Sequence, residues 1–174
     1  FSRPIPHENG PLYLIPMTLM FASGFATVAL GIARSALDAI IHISNVKTND
    51  AGKLIKYRPT VQMDIGKAEA KWRSANAFLT DTVSNTWTRV STRKQLSLDH
   101  RIRLRLASTH AIRESADVVA IAYQMGGSDS IFDTNAIQRR FQDINVISQQ
   151  VQARMLHYET AGQFFLGIDP EGSF

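Results

Sequence analysis

The residue types best suited to binding a ligand lie in one segment, which opens with Gly126, Gly127 and Ser128. Glycine lacks a Cβ atom, so a backbone with two consecutive glycines can approach a bound group closely. A glycine pair also ends many helices and, taken alone, predicts no more than a turn. This turn is a binding candidate because of the side chains that follow it.

Those side chains include a basic, an acidic and several amide groups at helical spacing. Arg139 and Asp143 are four residues apart, and the amides of Asn145, Gln149 and Gln150 come next. On an exposed helix face, such an arginine–aspartate pair contributes only about 0.2–0.5 kcal/mol. Polar groups on a helix that is otherwise buried need hydrogen-bond partners, which a bound cofactor can supply. We therefore interpret this helix as a candidate cofactor contact.

The remaining reactive side chains do not indicate metal or nucleophile chemistry. The chain has no cysteine, which excludes disulfides, thiolate nucleophiles and cysteine-ligated metals and permits a cytoplasmic location. None of its glutamates has a histidine three residues later, as di-iron helical bundles require. Its five histidines show no paired ligand spacing, and no phosphate-loop or Gly-x-Ser-x-Gly motif is present. The sequence thus predicts no metal site.

The charge balance favours an anionic partner. The formal net charge is +4 and the pI is about 9.6, which suits a phosphate-bearing cofactor as well as nucleic acid. Aromatic residues are not interleaved with the main basic run, so we predict no nucleic-acid partner. We interpret the run as a solvent-facing surface. Its members are Arg89, Arg93, Lys94, Arg101, Arg103 and Arg105.

Four amphipathic helical patterns must position these side chains. They are expected over about 16–42, from near Asp64, over about 98–124, and from Asp133 or Thr134 to about Tyr158. The stripe of the last pattern proceeds in steps of four and three through Ile137, Phe141, Ile144, Ser148, Val151, Met155 and Tyr158. No segment shows convincing strand alternation. The predicted fold class is all-α, an antiparallel up-and-down four-helix bundle that forms a single domain over residues 1–174.

The stretch from Pro11 to Ala33 tests whether the first pattern crosses a membrane. It carries no charged side chain over a length sufficient for a spanning helix. However, Pro16, Ser23 and Gly24 dilute it, and the amphipathic helices that follow need an apolar partner. We therefore expect this helix to form the core of the bundle and predict no membrane partner.

Five stretches, taken together and in order, carry a family resemblance. They are VALGIARSALDAI (28–40), RPTVQMDIGKAEAKWRSANAFL (58–79), LASTHAIRESADVV (106–119), GGSDSIFDTNAIQRRFQD (126–143) and ETAGQFFLGIDP (159–170). They resemble the C-terminal helical domain of acyl-CoA dehydrogenase-fold flavoproteins. The type is that of the flavin-dependent monooxygenases of this fold, such as two-component aromatic hydroxylases and dibenzothiophene-type monooxygenases.

The resemblance implies a longer enzyme, with an N-terminal helical domain and a middle β domain ahead of Phe1. In this family the flavin, FMN or FAD, lies between the β domain and the C-terminal bundle. A neighbouring subunit completes the site, the enzymes are usually tetramers, and a separate flavin reductase can supply reduced flavin. The resemblance therefore implies a flavin-covering and oligomerisation domain that is inactive alone. Since the absence of cysteine permits a cytoplasmic location, we expect the protein to be cytoplasmic.

The resemblance also assigns five contacts to flavin or its phosphate. They are Arg58, Gly126, Gly127, Ser128 and Arg139. Arg139 and Asp143 match the arginine and aspartate of the family's Gln-Arg-x-x-Arg-Asp helix, but Gln142 replaces its second arginine.

The catalytic candidate implied by the resemblance is Gln150. Monooxygenases of this type commonly carry a histidine seven residues after that aspartate, where it acts as a general acid beside the flavin. Gln150 occupies this position, and Asn145 occupies another that is often histidine. An amide donates a hydrogen bond but cannot deliver a proton, so the role of Gln150 must differ from that of the histidine.

Two other functions stay open on the sequence. An FAD-dependent acyl-CoA dehydrogenase needs a carboxylate base near the flavin. Glu159, in the stretch YETAG, is the nearest match to that base but lies farther from Asp143 than in the family. The second alternative is a self-associating helical bundle without a cofactor.

Overall fold

The computed structural model describes residues 10–172, which are mostly helical. The five α-helices are α1 (Met17–Val46), α2 (Pro59–Arg93), α3 (Leu98–Gly126), α4 (Ala136–Ser148) and α5 (Leu156–Phe165). Short 3-10 turns lie at Pro11–Leu14, Ile55–Tyr57, Gly127–Ile131 and Val151–Ala153. Within the described range, β pairing is limited to one antiparallel bridge between Thr48 and Leu54.

Helices α1 and α3 form the centre of the bundle. Helices α2 and α4 each pack against both of them, and α5 packs against α3. The contacts between α1 and α2 run antiparallel, since Trp72 Nε1 donates to Leu30 O at 2.9 Å. Arg34, later on α1, pairs with the earlier Glu69 on α2 at 2.7 Å. The predicted all-α, up-and-down four-helix bundle is confirmed, with α5 as an additional short helix.

An alanine-rich face of α1 forms much of the core. Ala22, Ala26, Ala29, Ala33 and Ala36 on this face are fully buried. Small side chains let neighbouring helices approach closely, and larger residues such as Ile112 on α3 and Ile144 on α4 pack into the same cluster. The small-residue spacing of the sequence therefore marks a face that the other helices cover.

Helix α1 also meets the length and composition criterion for a helix that could cross a membrane. Of its most apolar 18-residue window, 39% is buried against the rest of the structure. The core helix of a bundle passes the same criterion, because it too is long, apolar and almost free of charge.

Helix α2 begins at Pro59 and not near Asp64, as the sequence pattern predicted. Proline suits the first turn of a helix, because its missing N–H would have no helical partner there. Arg58 precedes it with an extended backbone. Helix α4 begins at Ala136, two to three residues after the predicted Asp133 or Thr134, and Asn135 Oδ1 accepts a hydrogen bond from the Ile137 amide at 2.9 Å.

The prediction of one continuous fourth helix to Tyr158 is wrong. Helix α4 ends at Ser148, and residues 149–155 connect it to α5. The predicted apolar stripe is buried or partly buried as far as Ser148, but Val151 and Met155 are 46% and 61% exposed. Neither proline nor glycine marks this break in the sequence. Its cause is hydrogen bonding to α3, which competes with a continued helix.

Candidate functional site

The antiparallel topology gathers the predicted cofactor contacts at one end of the bundle. Helices α1 and α3 end there, and α2 and α4 begin there. Arg58 precedes α2, and Arg139 lies in the first turns of α4. Gly126, Gly127 and Ser128 form the turn after α3. All five predicted residues thus belong to the same end, which we call the glycine-turn end.

The two glycines of this turn meet different structural requirements. A Cβ atom on Gly126 would collide with Ser130 Oγ, so its missing side chain makes room for a residue of the same turn. Gly127 has φ 64° and ψ −145°, a conformation that residues with a side chain rarely adopt. Apart from Gly127 and its two neighbours in the chain, no described residue has an atom within 4 Å of the position that a Gly127 Cβ would take. Gly127 is therefore the glycine whose backbone is open to a ligand.

The end of α1 and the cap of α4 hold the turn in place. Lys47 Nζ donates to Gly126 O at 3.3 Å and pairs with Asp129 Oδ2 at 2.6 Å. The Asn135 side chain donates to Asp129 O at 3.0 Å. These contacts join α1, the turn and α4, so the shape of the turn depends on the bundle around it.

A cleft of about 340 Å³ lies beside the first turns of α4, lined by Asp133, Gln138, Arg139 and Gln142. The Arg139 side chain is 73% exposed, and its Nε lies 3.5 Å from Asp143 Oδ1, so its other N–H groups remain available to an anion. Gln138 Oε1 is buried and accepts no hydrogen bond from any described residue. A ligand with both a negative group and a hydrogen-bond donor fits this cleft, and a flavin nucleotide has both.

Gln150 lies at the other end of α4, in the connection to α5. At about 1.5 Å per helical residue, it is roughly 16 Å from Arg139 along the helix. Its side chain is exposed and its backbone is extended, with φ −64° and ψ 150°. The Asn145 amide donates instead to Phe141 O within α4, at 2.7 Å. The structure does not bring Gln150 to the glycine turn, so a ligand that contacts both must be extended.

A row of hydrogen-bond donors on α3 was missed by sequence reasoning. Arg105, Thr109 and Arg113 are four residues apart, and all three donate to the connection between α4 and α5. Arg105 is only 3% exposed, so the interpretation of the basic run as solvent-facing is wrong for this residue. The i, i+4, i+8 spacing of donors, with the apolar Ile102 and Ile112 nearby in the sequence, is the signal that could have revealed a buried polar row.

The surroundings of this row affect two titratable groups. Burial lowers the pKa of the Arg105 guanidinium, which forms no ion pair with any described carboxylate. Burial also lowers the pKa of His157, and the positive charges of Arg105 and Arg154 lower it further. A hydrogen bond from the His157 ring to Val151 O, at 2.9 Å, acts in the opposite direction. The net lowering of the pKa of His157 favours the uncharged form of its ring.

Two alternative kinds of site are less well supported. Glu159, the candidate dehydrogenase base, is exposed in the first turn of α5. Among the described residues, no group of three or more histidine, aspartate or glutamate side chains is placed to hold a metal ion.

Comparison with known proteins assigns this helical bundle to a family. Residues 23–154 match the family described as acyl-CoA dehydrogenase, C-terminal domain. This match covers most of the chain, and the chain belongs to that family. The resemblance found in the sequence is confirmed.

The relatives of the chain include flavin-dependent monooxygenases of this fold. The chain is 31% identical over 166 residues to indole-3-acetate monooxygenase from Pseudomonas putida, which is 95% of this chain and 43% of that protein. The crystal structure of 3-HSA hydroxylase from Rhodococcus sp. RHA1 has a TM-score of 0.86 at 17% identity, over 96% of this chain and 43% of that one.

A further solved structure, XiaF from Streptomyces sp. in complex with FADH2 and glycerol, also has a TM-score of 0.86 at 17% identity. That match covers 94% of this chain and 42% of XiaF. The chain therefore spans less than half the length of the relatives that it matches.

Proposed function

We propose that the chain is the flavin-covering and self-associating domain of a flavin-dependent monooxygenase. The observation that carries the monooxygenase assignment is the 31% identity to indole-3-acetate monooxygenase over 95% of the chain. Because the chain spans 43% of that protein, the proposal expects other domains to complete the enzyme. An aromatic carboxylic acid of the indole-3-acetate kind is the first substrate candidate.

The cleft beside α4 supports a flavin nucleotide as the cofactor. The exposed guanidinium of Arg139 suits a phosphate, and the unpartnered Gln138 Oε1 suits an N–H or O–H group of the ligand. The open backbone at Gly127 permits close approach of a bulky group. Arg58 and Ser128, both exposed at the same end, are proposed as further contacts. FMN and FAD both fit these requirements.

The residues of the chain bind and orient the cofactor in this proposal. When bound, the reduced flavin supplies the electrons that activate O₂. Arg139 balances the negative charge of the phosphate, and the glycine turn holds the cofactor against the end of the bundle. The Gln150 side chain donates a hydrogen bond near the reacting groups and transfers no proton, because an amide has no suitable pKa.

Self-association is proposed from the exposed face of α1. Met17, Phe21 and Val28 lie on one side of this helix and are 70%, 55% and 55% exposed. Contiguous apolar surface of this kind is typical of protein interfaces. The proposal also includes a dimer or tetramer, a flavin reductase as partner and a cytoplasmic location. Sedimentation of the wild-type and Phe21→Lys proteins tests the oligomeric state.

An oxygen-consumption assay tests the proposed activity. The full-length protein is supplied with FMN or FAD, NADH, a flavin reductase and indole-3-acetate. We expect uptake of O₂ and an oxygenated product that both require the full-length protein and reduced flavin. A matched reaction without the protein controls for O₂ consumed by free reduced flavin.

An FAD-dependent acyl-CoA dehydrogenase is the second candidate, favoured by the family match over residues 23–154. It predicts that an acyl-CoA reduces protein-bound FAD anaerobically, seen as loss of flavin absorbance. That result, without product in the oxygen assay, would overturn the monooxygenase proposal. Unchanged flavin fluorescence on titration with full-length protein would instead favour a bundle without a cofactor.

A further inference from the structure

The connection between α4 and α5 is held by side chains from α3. Thr109 Oγ1 donates to Gln152 O at 3.3 Å, and Arg113 Nε donates to Ala153 O at 2.8 Å. Arg105 Nη1 donates to the side-chain Oε1 of Gln152. The three donors are one helical turn apart, so one face of α3 contacts two consecutive residues of the connection.

These contacts are linked directly to Gln150. The amide of Ala153 donates to Gln150 O at 2.9 Å, so the residue bound by Arg113 is itself bonded to Gln150. On the other side, the His157 ring donates to Val151 O at 2.9 Å. The carbonyl groups of residues 151–153 are therefore all occupied, and the position of Gln150 follows from that of the turn.

The burial of Arg105 indicates that this arrangement costs stability. Arg105 is 3% exposed, and among the described residues its guanidinium forms no ion pair and its Nε has no hydrogen-bond partner. Elsewhere between helices, Arg34 and Lys71 are each more exposed and pair with two carboxylates. A buried cation that is bonded only to neutral groups is unfavourable for folding. A residue that lowers stability in this way is expected where its position serves function.

We propose that Arg105, Thr109 and Arg113 are positioning residues that hold the 151–153 turn and thereby fix Gln150 beside the flavin. This role rests on the proposed function, since Gln150 acts only if flavin binds next to it. In the full enzyme, the row on α3 then controls how efficiently O₂ consumption leads to product. It does not control how tightly the cofactor binds at the glycine-turn end.

A double-mutant cycle tests the proposal in the full-length enzyme. Arg113→Met keeps the apolar part of the side chain and removes the guanidinium group with its donors, and it is made with and without Gln150→Ala. With Gln150 present, we expect the ratio of product to O₂ consumed to fall at least about threefold, while flavin affinity changes less than about twofold. In the Gln150→Ala background, the same change is expected to have almost no further effect on the ratio.

Two variants separate positioning from general destabilisation. Arg113→Lys retains a positively charged donor group and is expected to recover most of the product ratio. Arg103→Gln removes an exposed arginine of α3 that pairs with Asp99 and is expected to leave the ratio unchanged. An equal loss from Arg113→Met in both backgrounds would overturn the proposal, because Arg113 would then act independently of Gln150.

If Arg113→Met does not fold, Thr109→Val replaces it in the cycle. This change is nearly isosteric and removes only the hydroxyl that bonds Gln152 O. We again expect the ratio of product to O₂ consumed to fall only when Gln150 is present, and by less than for Arg113→Met. A product ratio equal to that of the wild type in a folded Thr109→Val enzyme would overturn the role of Thr109.

Limited trypsin digestion distinguishes a failure of this inference from a failure of the proposed function. Arg154 is exposed and directly follows the held turn, so cleavage after it reports local opening. We expect Arg113→Met to increase this cleavage rate at least about threefold and Arg103→Gln to leave it unchanged. If the rate of cleavage after Arg154 is unchanged in Arg113→Met, then Arg113 does not hold the 151–153 turn in place. A wild-type enzyme without oxygenation activity would overturn the role of Gln150 and leave the cleavage result valid.

Discussion

The two ends of α4 differ in how their polar groups are used. At its beginning, Arg139 is 73% exposed, Gln138 Oε1 has no described partner, and the backbone of Gly127 is open. After its end, the carbonyl groups of residues 151–153 are bonded to α3 and α5, and Arg105 is nearly inaccessible. One end has groups available to a ligand, and the other has groups occupied by the chain itself.

The two ends of α4 therefore suit two different roles, which are cofactor binding at its beginning and the positioning of Gln150 after its end. A group that contacts a ligand must leave part of its hydrogen-bonding capacity unused until the ligand arrives. A segment that holds one residue in place must instead use its capacity internally, because each internal bond restricts its motion. We therefore expect substitutions at the glycine-turn end to change cofactor affinity, and substitutions behind Gln150 to change the outcome of the reaction.

The largest expected effect is on flavin affinity. Arg139→Gln removes a charged hydrogen bond, which is worth about 1.5–3 kcal/mol, so affinity should fall by a factor of about ten to a hundred. Fluorescence titration of the full-length protein with flavin measures this. Arg103→Gln, which removes another exposed arginine with an aspartate partner, is the matched control. If Arg139→Gln bound flavin normally and Gln150→Ala bound it weakly, the roles proposed for the two ends would be reversed.

A comparable effect is expected on stability at the glycine turn. Gly126→Ala places a methyl group against Ser130 Oγ and should cost about 1–2 kcal/mol of unfolding free energy. Ser130 is buried and its hydroxyl has no described partner, so Ser130→Ala alone should be nearly neutral.

The double variant makes the prediction specific. Gly126→Ala combined with Ser130→Ala should recover more than half of the lost unfolding free energy in urea denaturation. If the two changes simply add, the collision with Ser130 is not the reason for glycine at this position.

A smaller effect is expected on the pH dependence of stability. The folded-state pKa of His157 lies below its usual value of 6.5, because of burial and then the charges of Arg105 and Arg154. The unfolded chain therefore binds more protons between these two pKa values, and the stabilisation present above pH 6.5 is lost as the pH falls. His157→Gln should weaken the decline of unfolding free energy between about pH 7 and pH 5.

The control for this prediction is His42→Gln, which removes an exposed histidine from α1. It should retain the decline seen in the wild type. An equal weakening in both variants would mean that the effect does not come from the burial of His157.

The smallest expected effect concerns the Arg139–Asp143 pair. The two side chains are 73% and 40% exposed and 3.5 Å apart, so Asp143→Asn should change the unfolding free energy by only about 0.3–0.5 kcal/mol. Flavin affinity should be retained, because Asp143 is not a proposed contact. A loss of affinity as large as that of Arg139→Gln would show that Asp143 orients the arginine.

Much of the fold could be predicted from local patterns. The small-residue spacing of α1 indicated its buried face, and the pattern from Asp133 or Thr134 predicted the beginning of α4 to within a few residues. Periodicity works for such elements because burial of one helix face depends on side chains three and four residues apart. The grouping of Arg58, the glycine turn and Arg139 at one end also followed, since short connections between long helices require an antiparallel arrangement.

The prediction failed where distant side chains decide the outcome. The stripe through Val151 and Met155 continued at helical spacing, yet both residues are exposed because the backbone there bonds to α3. Arg105 belongs to a basic run that would normally face water. It is buried because Gln152 and the Thr18 carbonyl accept its hydrogen bonds, and neither is near it in the sequence.

The sequence by itself determined that the chain is helical, the buried face of α1, the family and the residues of the glycine turn, because all of these depend on residue type and short-range spacing. Only the tertiary structure decided that α4 ends at Ser148 and that side chains of α3 bind the turn that follows Gln150. The physical reason is that a backbone carbonyl can accept a bond from its own helix or from another one. Which donor it bonds depends on the three-dimensional arrangement of the helices, and the donors on α3 lie far from it in the sequence.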